Sequence, residues 1–548
     1  MENKNSVVYQ IYVKSFCDSN GDGIGDLNGI RSKLPYIKSL GVDYIWVTPF
    51  YPSPMFDNGY DVADYCAVNP MFGTMADCEA MIAEADALGM GFMFDMVFNH
   101  TSWDHEWFQK ALTGDPEYMD YYIFRDGVNG GPPLDWTASF GTPAWEYVPA
   151  LDKWYLHLFD KSQPDLNWEN PKVREALKNV IRFWKGKGVK GFRFDVLNLI
   201  SKPARLEDCG PGSGTSYCKD GHRIHEFIRE MVTETGIENM ITVGEMASTT
   251  LENCVKYSHP ESRELAMCFN FHHLKVDYKN GDKWALMEPD LARLRQLFQE
   301  WQETMSQRGG WCAVFWCNHD QPRVVSRFGD EGAYWKQSAK MLGTFIHLLR
   351  GTPYIYQGEE LGMTNAHYTS IEQYNDVESV NYYKILLERG VSEADALEVL
   401  RQRSRDNART PMQWSAKPGV GFTDGKPWLE SPDNYQSINV EAEEQDPDSI
   451  LNYYRKLAKL RKDYPVIADG GIRFLDAGNG KVFAYERSLG GQRLTVVCNF
   501  SGDAETVALD SDLSAGRVLI SNGGENLLDR LASSRLTLNP FEAFAILT

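Results

Sequence analysis

The chain has 548 residues and a formal net charge of -21, with 43% hydrophobic and 24% charged residues. This is ordinary globular composition, too long for a single core, so roughly two to four domains are expected. The acidic balance argues against nucleic acid or an anionic membrane as partner, and no apolar run reaches spanning length.

Strand-like and helix-like runs alternate from the start, which implies a parallel sheet with crossover helices. Residues 7–12 read as a first strand, with an amphipathic helix over 27–40. Residues 44–47 read as a second strand with a helix near 77–88, and 91–97 as a third strand ending at Asn99 and His100. From about 101 to 168 the rhythm is broken by Trp, Pro, Gly and Asp, as an inserted domain would break it. A helix over 171–187 leads to a fourth strand at 191–196, and strands at 240–245, 265–271, 312–318 and 353–356 bring the count to eight. Eight strand–helix units close into a (β/α)8 TIM barrel, with an active site at the strands' C-terminal ends. From about residue 466 short alternating strands with Gly turns follow, as in an antiparallel β-sandwich. The division is therefore 1–100 and 169–465 for the barrel, 101–168 for the insert and 466–548 for the C-terminal domain.

The N-terminal residues lack a signal-peptide apolar region, and the ten cysteines show no paired spacing beyond a candidate Cys209/Cys218 loop pair. A reduced, cytoplasmic protein with free thiols is expected.

Three of the strands end in acids. In Gly191-Phe192-Arg193-Phe194-Asp195-Val196 the Arg and the Asp fall on alternate positions, so both project to one side and Arg193 keeps Asp195 ionised. The 240–245 strand ends at Glu245, and Phe315-Trp316-Cys317-Asn318-His319-Asp320 ends in a His–Asp pair. One strand-end acid is easily a structural ion pair, with Arg193 or Arg323 for example. Three on one rim, with His100 and His319 beside them, point to carbohydrate hydrolysis by paired carboxylates.

Asp18, Asn20, Asp22, Ile24 (through its carbonyl) and Asp26 put oxygen ligands at alternate positions around Gly23, as in the first nine positions of a calcium loop. The twelfth position is Gly29 rather than Glu, so this is no EF-hand. One structural Ca2+ or Mg2+ is expected there. In Asp57-Asn58-Gly59-Tyr60-Asp61, Tyr60 can stack on a sugar and Asp61 can accept from its hydroxyls. His272, His273, Lys275, Lys279 and Lys283 form a basic run after the sixth strand, an unusual local patch in so acidic a chain. Most of the fifteen Trp belong to cores and interfaces, and Trp414 is expected nearest the substrate.

The blocks Asp95-Met96-Val97-Phe98-Asn99-His100, Gly191-Phe192-Arg193-Phe194-Asp195, Gly244-Glu245 and Asn318-His319-Asp320 resemble the motifs of the α-amylase family of glycoside hydrolases. Gln163-Pro164-Asp165-Leu166-Asn167 is similar to the block of its oligo-1,6-glucosidase-like subfamily, and the likeness spans essentially the whole chain. Within that subfamily, residues 269–278 and 198–202 resemble most the branch acting on trehalose 6-phosphate, although Lys279 stands where that branch has Pro. The resemblance implies Asp195 as nucleophile, Glu245 as general acid/base and Asp320 as the residue gripping the distorted sugar. It also implies a glucose pocket lined by Asp61, Tyr60, His100, Arg193, His319 and Arg409. The expected activity is retaining cleavage of trehalose 6-phosphate to glucose and glucose 6-phosphate, by a monomer without a cofactor for the chemistry.

His272, Lys275 and Lys283 are the candidates for the phosphate, since each hydrogen bond to a charged group is worth roughly 1.5–3 kcal/mol. The alternative is an oligo-1,6-glucosidase or dextran glucosidase acting on neutral isomalto-oligosaccharides, from which only the basic run discriminates.

Overall fold

The computed structural model describes residues 4–206, 209–508, 513–524, 527–531 and 535–548. Eight short parallel strands build the barrel: β1 (Val8–Ile11), β2 (Tyr44–Val47), β3 (Gly91–Met96), β4 (Gly191–Phe194), β5 (Ile241–Glu245), β6 (Met267–Phe269), β7 (Ala313–Val314) and β8 (Thr352–Tyr356). They pair in the order β6-β5-β4-β3-β2-β1-β8-β7. The ends of this order meet at one parallel bridge between Cys268 and Cys312. Every residue of β1, β3, β4 and β8 is buried. Helices cover the outside and side chains fill the inside, which is why these strands read as continuous apolar runs.

The crossover helices start where their caps put them. Helix α1 (Leu27–Ser39) is capped by Asp26, which accepts from the Gly29 amide, and α2 (Met75–Ala87) by a Thr74/Asp77 capping box. Helix α3 (Pro171–Gly186) starts with Asn170 as cap and Pro171 in its first turn.

Between β3 and α3 the insert forms a three-stranded antiparallel sheet of Phe124–Arg125, Lys153–Leu156 and Trp145–Val148. Its small core, with Trp136, Trp145, Leu156 and Leu158, includes Val196 and Leu199 from the segment after β4. The insert is thus packed directly on the chain that leaves Asp195.

The C-terminal domain is a five-stranded antiparallel sheet of β9 (Gly471–Leu475), β10 (Val482–Leu489), β11 (Gln492–Asn499), β12 (Arg517–Ser521) and β13 (Ala543–Leu547), in the order β9-β10-β11-β13-β12. Glu505–Val507 and Leu536–Leu538 pair separately. Phe345 of the barrel helix Trp335–His347 packs against Phe483, Tyr485 and Phe500. Each fully buried aromatic side chain contributes roughly 1.5–3 kcal/mol, which makes this a firm seam between the domains. All ten cysteines are free, Cys209 and Cys218 included. Among the described residues no helix is long and apolar enough to cross a membrane.

Candidate active site

Strand register assembles the acids. Arg193 on β4 pairs with Asp95 on β3, and Gly244 on β5 pairs with Phe194. Asp195 and Glu245 therefore leave their strands at the same level, side by side at the C-terminal rim. The fully buried guanidinium of Arg193 ties three carboxyls together. Its Nη1 donates to Asp95 Oδ1 at 2.8 Å and to Asp195 Oδ1 at 2.6 Å, and its Nη2 contacts Glu245 Oε2. Asp95 is fixed from behind by the Tyr60 hydroxyl at 2.9 Å and the Trp46 indole at 3.1 Å.

One buried cation cannot keep three buried carboxylates ionised. Burial, joined by the charges of Asp195, Asp320 and Asp95, outweighs Arg193 and pushes Glu245 up to about 8. Asp320 is the opposite case. Burial opposes its ionisation, but His319, Arg405 and Arg409 hold its carboxyl well below the usual range. Arg409 Nη2 donates to Asp320 Oδ1 at 2.8 Å, and Arg405 Nη1 approaches the same oxygen at 3.4 Å. His319 stacks on Tyr60, with ring centroids 5.1 Å apart and planes 7° from parallel. Burial lowers it to about 3, so its imidazole is neutral.

The acids open into a cavity of about 220 Å³. That is below the range of about 300–1,000 Å³ for drug-sized ligands and suits one monosaccharide ring. Asp195, Glu245, Asp320, Tyr60 and His100 all line it, with Val196 and Lys283. Arg193, His319 and Arg409 sit behind this wall, wholly buried, and act on its charges and stacking.

Asp61 departs from expectation. Its carboxylate is taken up by the turn before it, accepting from the Ser53 hydroxyl at 2.9 Å and from the Phe56 and Asp57 amides at 2.9 and 3.2 Å. The acid of that segment facing the cavity is Asp57, which accepts from Arg405 at 3.0 Å and Gln163 at 3.1 Å. Trp414 departs too: it is a core residue, its indole donating to the Phe16 carbonyl at 2.7 Å and its ring set against Phe16 and Tyr36.

Sequence reading also passed over Arg405, Glu378, Phe140 and Phe159, all of which line the cavity. Phe140 and Phe159 come from the insert, and Glu378, in the first turn of the helix Val377–Glu388, and Arg405 from the segment after β8. The signal for Arg405 lay in the run Arg403-Ser404-Arg405-Asp406, whose density of charge suggests surface although all four residues are buried.

Val196, next to Asp195, has φ 35 and ψ 41. A β-branched residue in the left-handed region stores strain of order 1–3 kcal/mol, borne here by its packing in the insert's core. Behind His100, Lys202 points inward, donating to Asn99 Oδ1 at 2.6 Å and pairing with Asp165. A larger recess of about 620 Å³ on the far side of Lys202 holds none of the three strand-end acids.

The basic run divides. Lys283 lines the cavity and pairs with Glu378 at 2.6 Å. Lys275 lies outside the lining, its ammonium donating to the Ser248 hydroxyl at 2.5 Å. His272 also lies outside and packs on Trp301, with centroids 4.7 Å apart. Burial, then the charges of Lys275, Lys219 and Arg293, push it down to about 4, so it is a neutral donor rather than a cation.

In the 18–26 loop each oxygen first satisfies backbone. Asp18 accepts the amides of Asn20, Gly21 and Gly23 at 2.8–2.9 Å, and Asn20 and Asp22 each accept the amide two residues on at 2.9 Å. Asp26 caps α1 and holds Ser19. Among the described residues no group of three or more His, Cys, Asp or Glu side chains is placed to hold a metal ion. A cation there would also draw on the Asn20 side-chain oxygen and the Ile24 carbonyl.

Comparison with known proteins agrees with this arrangement. Residues 10–470 match the model of the alpha amylase catalytic domain, and residues 472–545 that of the maltogenic amylase C-terminal domain. The chain is 47% identical over 547 residues to a trehalose-6-phosphate hydrolase of Bacillus subtilis, covering 98% of this chain and 97% of the relative. It is 45% identical to an oligo-1,6-glucosidase of Parageobacillus thermoglucosidasius, covering 98% of each. The crystal structure of the Bacillus licheniformis trehalose-6-phosphate hydrolase superposes with a TM-score of 0.93 at 48% identity, covering 99% of both chains.

Proposed function

Because this chain belongs to the α-amylase family and is a glycoside hydrolase, we propose from its site that the substrate is trehalose 6-phosphate, cleaved with retention to glucose and glucose 6-phosphate. The observation that carries the reading is a cavity sized for one sugar, with the paired acids in its wall and an ammonium, Lys283, beside them.

Asp195, held by Arg193 Nη1 at 2.6 Å, attacks the anomeric carbon, and the C–O bond to the second sugar breaks as Glu245 gives its proton to the departing oxygen. Water then attacks the glycosyl–Asp195 bond, losing a proton to Glu245, and free glucose leaves. Two carboxyls gripped by adjacent nitrogens of one guanidinium are close, which favours the retaining arrangement of about 5–5.5 Å over the wider inverting one. Asp320, anchored by Arg409, is placed to hold sugar hydroxyls as the ring flattens. The small cavity takes the unphosphorylated glucose, so the phosphate belongs to the leaving group, at the rim where the basic run begins.

The 18–26 loop is proposed to hold a structural Ca2+ through Asp18, Asn20, Asp22, Asp26 and the Ile24 carbonyl, an all-oxygen set suited to a hard cation. Free thiols throughout fit a reducing cytoplasm, and action as a monomer belongs to the same proposal.

The test compares kcat/KM for trehalose 6-phosphate, trehalose and isomaltose. A clear preference for the phosphorylated sugar is expected. Equal or better turnover of isomaltose would replace this reading with an oligo-1,6-glucosidase.

A further inference from the structure

We infer that Lys219 is a specificity-determining residue that binds the phosphate of the leaving group together with Lys275; this rests on trehalose 6-phosphate being the substrate. Lys219 follows the short helix Gly214–Cys218, far in sequence from the basic run. Its place is set by the next residue. Asp220 takes a left-handed backbone, φ 52, and its carboxylate accepts the Tyr257 hydroxyl at 2.7 Å, the Thr249 hydroxyl at 2.9 Å and the Asn198 amide at 3.1 Å. The Asp220 amide donates to the Asn198 carbonyl at 2.8 Å. Lys219 is thereby pinned beside the turn that follows Glu245. Ser248 of that same turn, with φ 54, receives the Lys275 ammonium. Two cations from separate segments thus meet at the turn leaving the general acid, where the leaving sugar must emerge.

Among the described residues neither ammonium has an ion-pair partner. The Lys219 ammonium makes no ion pair or hydrogen bond among the described residues. The charges bearing on His272 are Lys275, Lys219 and Arg293, all positive, and the charge bearing on Lys275 is that of Lys219. By contrast Lys283 is matched by Glu378, and Arg193 by three acids. Like charges crowded without an acid repel, and an anion that enters relieves the repulsion. A phosphate dianion presents three acceptor oxygens, enough for two ammoniums and a neutral imidazole N–H.

The test uses the full chain with Lys219→Ala and Lys219→Arg, assayed on trehalose 6-phosphate and on trehalose. Product inhibition by glucose 6-phosphate and by glucose is measured in parallel. Lys219→Ala should lower kcat/KM for the phosphorylated sugar about tenfold or more, mostly through KM, as loss of a charge-assisted hydrogen bond does. The Ki of glucose 6-phosphate should rise in step, trehalose hydrolysis and the Ki of glucose should stay as they were, and Lys219→Arg should recover most of the loss. If the phosphorylated sugar remains preferred by an unchanged ratio in Lys219→Ala, Lys219 has no part in recognition and the substrate reading stands. Equal losses on both sugars assign it a structural role and overturn the inference. A wild type without preference for the phosphorylated sugar overturns the substrate reading and this inference together.

Discussion

Arg193 holds Asp195 through a 2.6 Å bond from Nη1, while its other terminal nitrogen contacts Glu245. One guanidinium therefore touches both the carboxylate that must be charged and the carboxyl that must carry a proton. Substituting Asp195→Asn should lower kcat/KM by roughly 10⁴ or more, since a residue acting as nucleophile is not replaced by binding alone. Initial rates on the disaccharide decide it, and activity within tenfold of wild type would remove Asp195 from the chemistry. Glu245→Gln should lose roughly 10²–10⁴ on the disaccharide and much less on an aryl glucoside whose leaving group needs no proton.

The pH profile should show its alkaline limb where Glu245 deprotonates. Its folded pKa of about 8 lies above the unfolded value of 4.5, so the acid stays loaded through neutrality and kcat/KM falls as pH rises through about 8. The same proton links folding to pH. Its contribution to stability is complete below the unfolded value and lost as pH climbs through the folded one. A limb near 5 in a kcat/KM profile on neutral trehalose, with nothing near 8, would contradict the assignment.

Lys275→Ala and Lys283→Ala should each weaken trehalose 6-phosphate by about tenfold or more while sparing trehalose. The wild-type preference should also grow between pH 5 and 7, as a phosphate with its second pKa near about 6 gains its second charge. Equal losses on both sugars would make the basic run a structural loop.

Asp57 and Asp61 separate by readout. Asp57→Asn should cut kcat/KM with little change in Tm, because Asp57 faces the cavity. Asp61→Ala leaves the Phe56 and Asp57 amides without their acceptor, each costing about 1–3 kcal/mol, so Tm should fall by several degrees. A thermal melt with Asp61→Ala unshifted would return Asp61 to the pocket.

A chelator should lower Tm by several degrees and added Ca2+ should restore it, since a ligand that binds only the folded state stabilises it by mass action. Asp18→Ala should abolish that response. A melt indifferent to chelator means that the loop stands on its amide bonds alone.

What was legible in the sequence follows from locality. The strands show because both faces are buried, so 91–96 and 352–356 carry almost nothing but apolar side chains, and their acids show because they interrupt such runs. Asp57 and Asp61 could not be told apart, since both flank the same turn and only its backbone bonding says which carboxylate is spent. Arg405 was hidden for another reason. Its partners Asp57, Asp320 and Asp376 lie in three other segments, and no local pattern announces a meeting of that kind. Trp414 illustrates the converse: proximity to Arg409 along the chain did not carry its ring to the cavity.

The stack of Tyr60 on His319, with Arg193 and Asp95 behind it, makes a floor built entirely from barrel strands and the turns at their tips. The residues that would greet the departing sugar come from elsewhere: the segment before Asp220, the turn around Ser248 and the stretch from His272 to Lys283. Selection can therefore rewrite the lip while leaving the machinery beneath untouched. Descendants of one ancestral hydrolase can then part ways over the sugar they discard, and still look alike from end to end.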